Sequence, residues 1–289
     1  MMAKMLMIIL LVFIAVPLAG GLLNGLDRKL TARLQGRVGP PVLQPFYDVL
    51  KLWQKNTTEV NHGSRYYLYM TLFFVVFTTG IMLSGGNILL AVFILTLAAI
   101  FFVLSGYAAR SPYSFIGAER ELLQMMAYEP MLLLTGIGLY YASGTFFIAE
   151  IINTSQPAVL TIPGVLGGLL YILTFKLRKS PFDLSMSHHG HQEIVKGVST
   201  EYTGKDLAIL ELIHWYETII ALAFVFIFFV YDSILSYFVA AGACVLVYIL
   251  EIIVDNGVAR TKWEFALTSS WIVTGVLGIG NLLLLSYLR

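Results

Sequence analysis

Three sets of acidic residues fall where the surrounding sequence is almost wholly apolar. In "AERELLQMMAYEPMLLL", Glu121 precedes Glu129 by eight residues, about 80° around a helix, with Gln124 and Tyr128 between them. In "ILELIHWYETII", Glu211, His214 and Glu217 recur at three-residue spacing and step around one side of a helix. Glu251 and Asp255 stand one turn apart near the end of a further apolar run. A carboxyl in such surroundings is expensive unless it is paired, hydrated or protonated, so proton or ion handling is one reading and helix-to-helix bonding the other. A histidine between two glutamates suits proton transfer. Its ordinary pKa is about 6.5, and burial moves carboxyl values upward toward it.

"HHGHQE" raises a metal question, because His188 and His191 are i,i+3 and His189 and Glu193 are i,i+4. Gly190 weakens a helix there and no cysteine completes a ligand set. Proton relay, partner contact and ordinary surface histidines stay open for these residues.

The elements that must position these groups are apolar helices. The chain is 58% hydrophobic and 12% charged, with a mean hydropathy of +0.82, more apolar surface than a soluble core of 289 residues buries. The sequence therefore predicts an all-α integral membrane protein. Eight stretches approach the roughly 20 apolar residues needed to cross about 30 Å of hydrocarbon. They are Met5–Leu26, Tyr66–Leu83, Ile88–Tyr107, Leu122–Tyr141, Val159–Leu177, Leu207–Val230, Ser233–Ile253 and Phe265–Leu288. Of the 18 Lys and Arg residues, all but Lys4 and Arg289 fall in alternate loops. By the positive-inside rule those loops are cytoplasmic and both termini lie outside, in the cell membrane. Lys4 with the apolar run after it also resembles a signal peptide, but the run is long for one and "DRK" follows it directly.

The first long loop carries Val42, Leu43, Phe46, Val49, Leu50 and Trp53 at three- and four-residue spacing, which predicts an amphipathic helix on a lipid or protein surface. One cysteine, Cys244, permits no intrachain disulfide, and this chain's thiols alone hold neither an iron–sulfur cluster nor a Ni–Fe centre. The net charge of +1 gives no nucleic-acid signal. No repeat or linker appears, so residues 1–289 read as a single transmembrane domain.

Together, "DRK", "GRVGPPVLQPFYDVLKLWQK", "GAERELLQMMAYEP" and "SPFDL…QEIVKGVSTEYTGKDLAILEL" resemble the family of complex I membrane subunit 1, across nearly the whole chain. The short "GRVGPP" and the inserted "SMSHHGHQ" resemble its energy-converting, Ech-type [NiFe] hydrogenase branch. The resemblance implies a membrane-anchoring and coupling subunit that links ferredoxin-dependent proton reduction to H⁺ or Na⁺ translocation. It has no catalytic centre of its own. Partner subunits would carry the [4Fe-4S] clusters and the [NiFe] centre: hydrogenase small and large subunits, a ferredoxin-like Fe–S subunit and an antiporter-like membrane subunit. It also implies an ion path through Glu121, Glu129, Asp183, Glu193, Glu201, Glu211, His214, Glu217, Glu251 and Asp255. Docking would fall to Arg28, Arg37, Asp48, Lys51 and Arg120, with His188, His189 and His191. A quinone-reducing complex I, a formate hydrogenlyase or a CO dehydrogenase-linked hydrogenase are alternative hosts. A stand-alone ion transporter is the alternative of another class.

Overall fold

The computed structural model describes residues 2–57, 62–185 and 196–288, and among them there is no β-strand. Among the described residues, seven helices are long and apolar enough to cross a membrane: α1 (Met5–Leu34), α3 (His62–Ser84), α4 (Ile88–Ala108), α5 (Pro112–Ser143), α7 (Gly204–Phe229), α8 (Ile234–Gly257) and α9 (Trp263–Tyr287). Two shorter helices matter for the site, α2 (Gln44–Gln54) and α6 (Pro163–Lys176). The protein is a multi-pass membrane protein.

The helices run past the limits that hydropathy sets. α1 continues through "DRKLTARL" to Leu34, and Gly36, with φ +71°, lies just beyond its end in the left-handed region. α5 starts at Pro112, an ordinary first-turn proline, so Glu121 lies well inside it rather than before it. At its far end Gly144, with φ +79°, takes the left-handed position that closes the helix. Asn87 caps α4 by accepting from the amides of Leu89 and Leu90.

The expected fifth span, Val159–Leu177, is the exception. Pro163 and the irregular Ile162 divide it into a single turn, Ala158–Thr161, and the 14-residue α6. Fourteen residues rise about 21 Å, short of the roughly 30 Å of hydrocarbon. The segment still passes between the two ends of the bundle. At one end the Asp232 amide donates to Thr154 and the Ile88 amide to Phe146. At the other, Ser180 meets Asp255 and Thr261 meets Pro181. Among the described residues, seven helices are thus long enough to cross a membrane, and this shorter eighth segment links the two ends of the bundle.

Where α6 stops is the consequence that matters. Its last residue, Lys176, is paired with Glu217, the fourteenth residue of the 26-residue α7. The irregular segment after α6 therefore begins about half-way down the bundle. Backbone outside a helix is tolerated at that depth only where protein or a water-filled cavity surrounds it. Residues 176–185 are buried apart from the half-buried Leu177.

Candidate functional site

The end of α6 and the segment after it bring three cations into the bundle, and α5 and α7 supply the carboxylates that meet two of them. Lys176 Nζ lies 2.8 Å from Glu217 Oε1. Arg178 bridges the two helices, with Nη1 2.9 Å from Glu217 Oε2 and Nη2 2.9 Å from Glu121 Oε1. Ser185 Oγ donates to Glu121 Oε2, and Lys176 stands 5.2 Å from the centre of the Tyr128 ring. Arg178 itself has φ +51°, a strained conformation for a side chain of its size, held by pairing on both sides. Two cations face two carboxylates, the balance a buried ionic group requires.

Gln124 fixes the segment further on, donating to the Phe182 carbonyl and accepting from the Ser185 amide. Asp183 is bound by Arg260 at 3.2 Å. Two glycines then make a close approach: a Cβ on Gly117 would lie 2.2 Å from the Val198 nitrogen, and Gly197, at φ +62°, would place one 1.9 Å from the Ser185 carbonyl. This contact seats the short 3₁₀ turn Gly197–Glu201 against α5. Tyr202, next in sequence, bonds Ser105 at 2.7 Å; burial raises its hydroxyl above the usual range, keeping it a proton donor.

The third cation, Lys179, belongs to another group. It lies 2.8 Å from Asp27 of α1 and 3.8 Å from Asp255 of α8. Asp255 also accepts from the Ser180 amide, and Thr31 donates to Asp27. Between the two groups lies a cavity of about 590 Å³, whose wall includes Asp27, Arg28, Glu211, His214, Glu217 and Asp255.

The structure thus joins Glu121 with Glu217, places Glu211 and His214 on the cavity wall, and sets Asp255 across from them. Glu251 is buried within α8 beside that second group. Glu129 is apart from all of these, half-buried and bonded to Thr96 of α4. Glu201 is half-buried at the end of the 3₁₀ turn. Among the docking candidates, Arg28 pairs with Asp48 at 2.6 Å and so ties α1 to α2. Arg37 is exposed and bonds Gln35, and Arg120 is exposed beside the Leu184 carbonyl. Lys51 is exposed on α2. His188, His189, His191 and Glu193 lie outside the described residues.

Sequence reasoning did not single out Lys176, Arg178, Lys179 or Asp27 as site residues. The available signal was "FKLRKSPFDL" directly after an apolar run interrupted by proline, too short a helix to carry those charges out of the membrane.

Residues 5–286 match the NADH dehydrogenase family. The chain belongs to that family. Among NADH dehydrogenase relatives, hydrogenase-4 component C of Escherichia coli (strain K12) is 26% identical over 278 residues, covering 87% of each chain. NADH-ubiquinone oxidoreductase chain 1 of Mycosarcoma maydis is 25% identical, covering 96% of this chain and 93% of the relative. The fold matches a chain of the membrane-bound sulfane sulfur reductase, an archaeal respiratory membrane complex, with a TM-score of 0.83, 22% identity and coverage of 96% and 99%.

Proposed function

We propose that this NADH dehydrogenase family member is the membrane-anchoring and coupling subunit of an energy-converting oxidoreductase complex. Its host is read as a [NiFe] hydrogenase of the ferredoxin-linked type. The observation that carries the reading is the interrupted α6: it delivers Lys176, Arg178 and the Asp183 loop to buried carboxylates half-way down the bundle, beside a polar cavity at the charged end. A multi-pass chain with one cysteine has no thiol set for a cluster, so electron carriers belong to partner subunits.

In this reading the charged end faces the cytoplasm, where α2, residues 178–185 and the turn Gly197–Glu201 receive the Fe–S and hydrogenase subunits. Ser185 is both part of that loop and a donor to Glu121. A displacement of the loop driven by redox change would withdraw that hydrogen bond and leave Glu121 one donor short. A proton taken up on the freed Glu121 oxygen, or a shift of the Arg178 side chain toward Glu121 and away from Glu217, would make good the loss. Through Glu121, Glu129, Glu211, His214 and Glu217 the step would reach an antiporter-like subunit.

The test is purification of the complex in mild detergent with metal analysis and a ferredoxin-driven hydrogen-evolution assay. Co-purifying nickel and iron–sulfur subunits with hydrogen output are expected. Quinone reduction without nickel would assign the chain to a respiratory complex I instead. Ion flux from the chain alone would make it a transporter.

A further inference from the structure

The end of the bundle away from the Arg178 group is joined by a connection with no cation: no Lys or Arg occurs between Arg120 and Lys176. Residues 144–162, which link α5 to α6, are its longest connection. The first part is firmly seated. Ile148 and Ile151 are each 2% exposed, and the amides of Ile148 and Ala149 donate to the carbonyls of Gly86 and Gly85. After Ile151 the chain comes out to the surface. Asn153, Ser155 and Gln156 are exposed. Thr154 between them is anchored, with the Asp232 amide on its carbonyl and its own hydroxyl 2.9 Å from the Ile151 carbonyl.

Asn153, Thr154 and Ser155 form an Asn-x-Ser triplet. Of the seven asparagines only Asn153 and Asn56 have a hydroxyl residue two positions on; the other five have Gly, Leu or Val there. A carboxamide nitrogen is a poor nucleophile, because its lone pair is delocalised into the carbonyl, and the hydroxyl at that spacing is what a sugar transferase needs to grip the acceptor. Proline in the intervening or the following position would stop the backbone bending into the enzyme. Here those positions are Thr154 and Gln156, and Pro157 comes one residue later. Asn153 Nδ2 donates to the Ala149 carbonyl at 2.8 Å, a bond at the exposed surface that water replaces at little net cost. The second triplet, Asn56-Thr57-Thr58, belongs to the opposite, cationic end: Asn56 follows Lys55, and its carbonyl lies against Gly204 at the start of α7. Thr58 lies outside the described residues.

We propose that Asn153 is an N-glycosylation site of this chain, taking an oligosaccharide from a lipid-linked phosphate donor at the outer face of the membrane. In the transfer a bond forms between Asn153 Nδ2 and the anomeric carbon of the first sugar, and the bond from that carbon to the donor's phosphate oxygen breaks. The lipid phosphate leaves with the electron pair, and the proton lost by Nδ2 passes to a carboxylate of the transferase. Nothing is oxidised or reduced. The side rests on the distribution of Lys and Arg, which puts the Asn153 end outside and the Asn56 end in the cytoplasm. The two triplets therefore divide: Asn153 accepts a glycan and Asn56 does not. A bulky hydrophilic chain on this turn would hold that end of the bundle in water. The site goes beyond the coupling-subunit reading and needs no particular host complex.

The experiment is peptide mass spectrometry of the complex purified from its native membrane and digested with chymotrypsin. The fragment Ile148–Leu160 should carry added mass in whole monosaccharide units, which fragmentation places on Asn153. Asn153→Gln and Ser155→Ala should lose the added mass, whereas Ser155→Thr, which keeps the hydroxyl, should retain it. A wild-type fragment with no added mass, or added mass that survives Ser155→Ala, would overturn the proposal. Sugar on Asn56 in place of Asn153 would overturn it together with the orientation. Both substituted positions are exposed, so the variants should assemble as wild type does. If one does not, the wild-type spectrum decides alone. The mass is read without turnover. A complex that carries the glycan but evolves no hydrogen would sink the functional reading and leave the site standing.

Discussion

Arg178 and Glu121 are 57 positions apart in the chain and 2.9 Å apart in the structure, and the same guanidinium reaches Glu217 at 2.9 Å. The end of α6 at Lys176 makes this three-way contact possible, because Arg178 then stands in non-helical backbone between α5 and α7. Arg178→Met should leave two carboxylates facing Lys176 alone and destabilise the chain by about 3–5 kcal/mol, the usual cost of breaking a buried ion pair. Adding Glu121→Gln should restore part of that loss. Thermal unfolding of the four members of this cycle in detergent would measure the coupling, and additive effects would show that the contact carries none.

Glu129 stands outside that group and accepts a hydrogen bond from Thr96 of α4. Glu129→Gln can keep that contact, since the amide retains an acceptor oxygen. The variant should assemble normally and translocate ions several-fold more slowly, as read by dye quenching in proteoliposomes. Unchanged pumping would remove Glu129 from the path.

The seat of the 3₁₀ turn depends on Gly117. A side chain there meets the Val198 nitrogen at 2.2 Å, backbone that cannot turn aside. Gly117→Val should raise amide hydrogen exchange across residues 196–203 and loosen Tyr202 from Ser105. Protection equal to wild type would mean that the turn is held from elsewhere.

On α2, two contacts to the bundle differ in weight. The Arg28–Asp48 pair is 37% exposed on both sides, so Asp48→Asn should change stability by no more than about 1 kcal/mol. Phe46, by contrast, packs edge-on to Trp215 at 5.2 Å and against Gly21, and Phe46→Ala should cost about 3 kcal/mol or more. If Asp48→Asn releases the peripheral subunits while leaving the unfolding temperature in place, docking is its function.

The outward face of α2 carries Leu43, Tyr47, Leu50 and Trp53, each about half exposed or more. Brominated lipid should therefore quench Trp53 fluorescence in the isolated chain. Quenching that disappears in the assembled complex would assign this face to a protein partner.

How much was legible in the sequence follows from what each signal measures. Apolar runs determined the helical membrane fold, and three- and four-residue apolar spacing the amphipathic α2, because solvent selects those patterns residue by residue. The motifs determined the family. Acidic residues within apolar helices marked Glu121, Glu217 and Glu251 as unusual, but all three for the same reason. Only the tertiary structure separated them. How a buried carboxylate is neutralised depends on which cations reach it. Lys176, Arg178 and Lys179 lie next to one another in a sequence that reads as an ordinary basic loop. Pro163 shortens α6, the loop falls inside the bundle, and from there Lys176 and Arg178 saturate Glu121 and Glu217 while Lys179 is shared between Asp27 and Asp255. Spacing along one helix carries no information about a charge that another segment delivers, so only the packed bundle could decide which cation meets which carboxyl.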